Sequence, residues 1–192
     1  MKIGISAQIL AAAAVLALVL TGLVVREGVA RAQGQEVVLE ISGYDPRSLL
    51  TGHFVQFQIQ SDLAVGATCP PGSGVPVQRP KTWVALQRRG DHHAATGVAP
   101  SRDVALKLGE LAVRGDLDCQ TGPTDGSSRV VMNLGVHRLH IDQAQAEAIQ
   151  KTLQIGRGEP AVARAVVSIG RDGKARLRGL IVGGKRFELD WF

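Results

Sequence analysis

Hydrophobic positions along this chain form one unbroken block, a set of alternating runs and a single helical stripe. The block runs from Ile3 to Val25, 23 residues with no formal charge, rich in Ala, Val and Leu. At about 1.5 Å of rise per residue, roughly 20 apolar helical residues cross a hydrocarbon core. Lipid obliges a spanning backbone to satisfy its own hydrogen bonds, which a helix does. Lys2 and Arg26 bracket the block as interface charges. The segment 1–26 therefore reads as a transmembrane signal anchor, and its short N-terminal tail places the bulk of the chain on the extracytoplasmic side. A cleaved signal peptide is the alternative, because Ala30-Arg31-Ala32 has the small-x-small pattern of a cut after Ala32. Against cleavage, the apolar run exceeds the usual ~7–15-residue signal core, and Arg26, Glu27 and Arg31 crowd the cut with charge.

Residues 27–35 read as a linker and 36–192 as a β-rich domain. Glu36 to Ile41 alternates, with Val37, Leu39 and Ile41 on one face. His53 to Gln60 is the clearest strand: Val55, Phe57 and Ile59 point one way, Gln56, Gln58 and Gln60 the other, with Phe54 the exception. Strands are also expected at Thr82–Gln87, Val104–Leu108, Ala112–Arg114 and Arg129–Leu134. Asp172-Gly173 turns Ala161–Ile169 back into Ala175–Val182 as a tight hairpin, and Gly183-Gly184 leads into a last strand, Lys185–Leu189. Gly66–Pro80 is loop-like, His92-His93 falls in a hairpin or loop, and Asp116, Asp118 and Cys119 sit in turn-like sequence. One helix is expected near 142–155. Asp142 caps it, Gln145 completes a capping box, Ala146, Ile149 and Leu153 share a face, and Gly156 ends it. The fold class is mainly β with one α-helix (α+β): an N-terminal transmembrane helix plus an antiparallel β-rich domain.

Composition narrows the picture. The 192 residues are 45% apolar and 20% charged, which excludes wholesale disorder. Lys and Arg number 22 against 17 Asp and Glu, a formal +5. Outside the cytoplasm that basicity speaks for a surface near lipid headgroups rather than for nucleic acid. Two cysteines exclude both a disulfide-dense scaffold and a four-cysteine zinc site. On the oxidising side of a membrane, Cys69 and Cys119 are candidates for a disulfide closing a loop of about 50 residues, worth about 2–4 kcal/mol; two unpaired thiols are the alternative.

Catalytic signatures are thin. Ser42, Ser48 and Ser61 lack a Gly-x-Ser-x-Gly elbow, and no lysine stands where it would activate Ser48. Of the five histidines, His137 and His140 would point to opposite faces of a strand, and His92 and His93 read as solvated. Two Arg-Gly-Asp tripeptides, at 89–91 and 114–116, are good hairpin turns. Phosphate-loop and dinucleotide fingerprints are absent. No catalytic, cofactor-binding or metal-binding residue is assigned, and no cofactor is expected.

With these elements in place, the chain resembles the GDYXXLXY-motif family of membrane-anchored bacterial proteins. The matching stretch is Asp45-Pro46-Arg47 followed by Gly52-His53-Phe54 and on to Ile59. Gly52 matches the motif Gly, Phe54 stands for its first Tyr, Phe57 for its Leu and Ile59 for its last Tyr. His53 departs from the pattern by replacing the motif Asp. The passage from His137 to Ala146 and the closing hairpin from Asp172 to Lys185 are similar to the family as well. The resemblance implies an envelope role beside multi-pass membrane proteins and no particular reaction. The expected function is thus a non-enzymatic, single-pass envelope protein, bound to the membrane by its N-terminal helix and contacting another membrane or envelope component, an integral membrane protein among the candidates. The alternatives are an envelope hydrolase or processing factor using Ser48 or His53, and a cleaved periplasmic ligand-binding protein.

Overall fold

In the computed structural model, residues 4–43, 54–63, 67–73, 82–121, 128–140 and 163–188 are described. Helix α1 (Ile5–Ala32) opens after Gly4 and closes at Gln33, whose N–H donates to the Val29 carbonyl. Arg31 in its last turn suits the negative end of the helix dipole. Apolar side chains cover the whole circumference and stay outside the protein core, with Leu10 74% and Leu18 73% exposed. A helix apolar all round is stable only inside apolar surroundings, and α1 is long and apolar enough to cross a membrane. The linker expected over 27–35 is corrected: the helix continues to Ala32, and only Gln33 and Gly34 separate it from the first strand. Arg26, Glu27, Ala30, Arg31 and Ala32 are good helix formers, so the helix outlasts the apolar block.

Strand β1 (Gln35–Gly43) follows at once, and Gly34 makes that possible. A Cβ there would collide with the Ser168 hydroxyl and the Ile169 carbonyl. β1 is the axis of the sheet. It pairs antiparallel with β9 (Ala163–Ile169) along its length, from Gln35↔Ile169 to Ile41↔Ala163. Its far end pairs with β2 (Phe54–Leu63) at Ile41↔Ile59 and Gly43↔Phe57. β10 (Ala175–Val182) and β11 (Lys185–Glu188) extend the sheet beyond β9 as a meander. On the other flank β2 pairs with β7 (Ser128–Asn133), which pairs with β6 (Asp116–Thr121), while β8 (Arg138–His140) lies along the start of β2. β3 (Trp83–Arg89), β4 (His92–Ala99) and β5 (Leu111–Arg114) form a three-stranded antiparallel leaf joined to β1 through the one parallel register pair, Leu39↔His93.

The alternating pattern explains the core. Val37, Leu39 and Ile41 of β1 and Phe57 and Ile59 of β2 enter it, the last two only 1% exposed, whereas Gln58 faces out. They meet Val84, Leu86, Val113, Met132, Val167 and Leu180 from the surrounding strands. A second, thinner layer of Ala85, Ala99, Ala105 and Ala112 lies against Trp83 under the one-turn helix α2 (Arg102–Ala105).

Three expectations are corrected here. Val104–Leu108 is not a strand: α2 and the turn after it carry the Leu106 N–H to the Arg102 carbonyl and the Leu108 N–H to that of Ala105. The helical turn buries Ala105 on the alanine layer and leaves Val104, Leu106 and Leu108 exposed. His92-His93 opens strand β4 instead of sitting in a loop, held by the pairing Arg89↔His92 and Arg88↔His93. Asp116, Asp118 and Cys119 likewise belong to β6 and not to a turn, with Leu117 buried. The helix expected near 142–155 lies outside the described residues.

Candidate functional site

Asp45, Pro46, Arg47, Gly52 and His53 lie outside the described residues, as does Ser48. Phe54 opens β2 opposite His140. Phe57 and Ile59 sit side by side on β2 facing the core, and the Phe57 N–H donates to the His137 carbonyl at 3.1 Å. Beside them is an open hollow of about 380 Å³ lined by Phe57, Ile59, Met132, Leu134, Val136 and His137, with Gln58 and Asn133 at its polar edge. Among the described residues His137 is its one titratable lining residue, and none of those lining it carries a carboxylate, thiol or hydroxyl side chain. The hollow can take up an apolar group, and its described lining offers no acid–base pair.

His92 and His93 lie at the start of β4. His92 lies 3.1 Å from Asp91 and 3.6 Å from Glu40, and Asp91 pairs in turn with Arg164 at 2.7 Å. Burial pushes the His93 pKa down, which keeps its ring neutral at pH 7. No group of three metal-binding side chains converges among the described residues. Cys69 and Cys119 are joined as a disulfide with their Cα atoms 5.9 Å apart. It fastens the segment 67–73 to β6, and the Pro71 carbonyl accepts the Val98 N–H from β4 at 2.9 Å.

The most organised polar cluster among the described residues joins the apolar helix α1 to the sheet. Arg176 of β10 is 7% exposed. Its Nε and Nη2 donate to the two carboxylate oxygens of Glu27 on α1 at 2.5 and 3.2 Å, and its Nη1 and Nη2 donate to those of Asp172 at 3.0 and 2.9 Å. One planar guanidinium thus binds two carboxylates in bidentate fashion, the geometry in which such pairs are strongest. The Arg176 guanidinium holds the Asp172 carboxyl well below the usual carboxylate range, and the two acids raise the arginine above its ordinary value.

Asp172 also accepts the Lys174 N–H at 3.1 Å, which tightens the β9–β10 turn. Gly173 there has φ +75°, and a Cβ would strike the Trp83 ring. The Gly173 carbonyl accepts the Arg114 N–H at 2.8 Å, and the Arg114 guanidinium lies 5.1 Å over that same ring. Helix α1, the β9–β10 turn and the tips of β3 and β5 are therefore bonded into one corner. A second ionic row runs along the outer sheet: Arg186 donates to both Glu36 oxygens at 3.1 Å and Arg178 reaches Glu36 at 3.1 Å.

Sequence reading missed this corner. In the sequence Glu27 stands out only as a charge near the cut after Ala32, and Arg176 only as part of the strand Ala175–Val182. The one available signal is a pair of charges, Asp172 and Arg176, astride a hairpin turn.

The family model described as GDYXXLXY protein matches residues 16–180 of the chain. No curated protein and no solved structure gives a significant match.

Proposed function

The chain belongs to the GDYXXLXY protein family, and from that premise we propose that it is a non-enzymatic, single-pass protein of the bacterial envelope. Its β-rich domain stands on the extracytoplasmic side and contacts another membrane or envelope component. The observation that carries this reading is the junction at Arg176: an apolar helix with no place in the core is bonded by Glu27 to the sheet it precedes. Such a helix presents the domain at a fixed height and angle above a bilayer. Cutting the chain after Ala32 removes Glu27 and leaves the buried Arg176 with half its partners, which argues against the cleaved alternative. The Cys69–Cys119 disulfide supports an oxidising compartment, and the hollow at Phe57 offers a binding surface.

Sidedness tests the proposal. Protease added outside a sealed inner membrane, after the outer layer is permeabilised, is expected to digest the domain and leave a fragment the size of α1. Digestion that requires rupture of the inner membrane would place the domain in the cytoplasm and overturn the reading.

A further inference from the structure

The β9–β10 turn is held at a defined height on α1. Glu27 lies two residues past Val25, the last of the uncharged run, and so about 3 Å further along the helix axis. The headgroup layer of a bilayer is roughly 5–8 Å thick on each side. The bonds from Arg176 to Glu27 and Asp172 therefore set residues 170–174 at headgroup depth when α1 spans the membrane.

What the turn and its neighbours present at that depth is cationic. Arg171 and Lys174 flank Asp172, are exposed and form no ion pair among the described residues. Arg114 is exposed and stacked on the half-buried Trp83, against which Gly173 packs. Arg26 is exposed one residue before Glu27. Arg176 offsets one of the two carboxylates of this corner, Glu27 and Asp172, and the four other cations outnumber the remaining negative charge, so the corner stays cationic.

We propose that this corner, made of Arg114, Arg171 and Lys174 around Trp83, is a docking surface for anionic phospholipid headgroups; the proposal rests on the membrane-anchored reading above. Guanidinium groups bind phosphate oxygens in a bidentate fork, and a tryptophan with an apolar body and a polar edge suits the interface. Each cation near an anionic leaflet contributes roughly a fivefold preference, screened beyond about 8 Å at physiological salt. The domain then lies against the bilayer at this corner and turns its other faces, the hollow at Phe57 included, to the aqueous side or to neighbours in the membrane.

The test uses full-length protein with Trp191→Phe, which leaves Trp83 as the single tryptophan. It is reconstituted in phosphatidylcholine vesicles with or without phosphatidylglycerol, each doped with a headgroup spin label, and insertion is scored by flotation after a carbonate wash. Quenching of Trp83 emission is expected to be severalfold stronger with phosphatidylglycerol. High salt, and the combination Arg114→Gln, Arg171→Gln and Lys174→Gln, should each abolish the gain. Because the salt arm needs no substitution, misfolding of the variant cannot imitate the result. Equal quenching in both vesicles, with no response to salt, from protein that floats would overturn the headgroup surface while leaving the anchor in place. Protein that fails to float brings down the anchored reading, and this surface with it.

Discussion

Arg176 shows how much depends on one side chain with the right neighbours. Breaking a fully buried pair costs about 3–5 kcal/mol, but Glu27 and Asp172 are 57% and 41% exposed and recover hydration when the arginine is removed. Arg176→Ala is therefore expected to lower stability by about 1–2 kcal/mol, measured by thermal melting in detergent, and to loosen α1 from β9 and β10 before the sheet melts. The acid response has a definite sign. The folded Asp172 pKa is depressed below its ordinary 3.8, so its contribution is complete above about pH 4 and is lost as pH falls towards the lower folded value. Glu36, held by Arg186, acts in the same direction. Asp172→Asn should flatten the melting curve against pH below 4 and leave its neutral arm unchanged in slope. Phe57 makes a contrasting residue, because its value lies in volume rather than charge. Phe57→Ala is expected to cost about 3–5 kcal/mol, and Phe57→Asp to prevent folding, since an unpaired carboxylate would enter the core. A Phe57→Asp variant that melts like the unaltered protein would remove that residue from the packed face of β2.

At the scale of elements, legibility followed the strength of the periodicity. β1, β2, β9 and β10 were readable because one or both faces are buried and their sequences are apolar at the positions that burial demands: Val37, Leu39 and Ile41, then Phe57 and Ile59, then Val166 and Val167. β4 was not, because His92-His-Ala-Ala-Thr-Gly-Val-Ala99 has no alternation of its own and is drawn into the sheet by β3. β6 did carry a signal, Leu117 and Cys119 between polar neighbours, but Asp and Gly on either side read as turn chemistry. Val104–Leu108 misled in the opposite sense: alternating apolar residues lie on an exposed turn because small Ala105 is the side chain that fits beneath. The junction at Arg176 was invisible for a different reason. Arg176 and Glu27 are 149 residues apart in sequence, and no local pattern announces a contact between an apolar N-terminal helix and a distant hairpin. The disulfide is the other long-range tie, closing a separation of 50 residues. Cys69→Ser with Cys119→Ser is expected to lower stability by about 2–4 kcal/mol, read from denaturant midpoints with and without reductant. Unchanged midpoints would mean that the segment 67–73 gains nothing from its tether.

For the whole molecule, the connection between helix and sheet is two residues long and is bridged by the bonds from Arg176 to Glu27. A flexible tether would let the domain sample a wide volume above the bilayer. With α1 across a bilayer as proposed, this short one, braced at Glu27, would hold a particular corner down and the hollow at Phe57 in a fixed relation to the membrane plane. That geometry suits a protein that meets its partner within or beside the membrane, and it requires that α1 be retained. The most direct measurement is the intact mass of the protein recovered from cell membranes after a carbonate wash. The account predicts that the chain recovered in the membrane pellet still carries α1, residues 5–32. A chain beginning at Gln33 and released to the supernatant would contradict it.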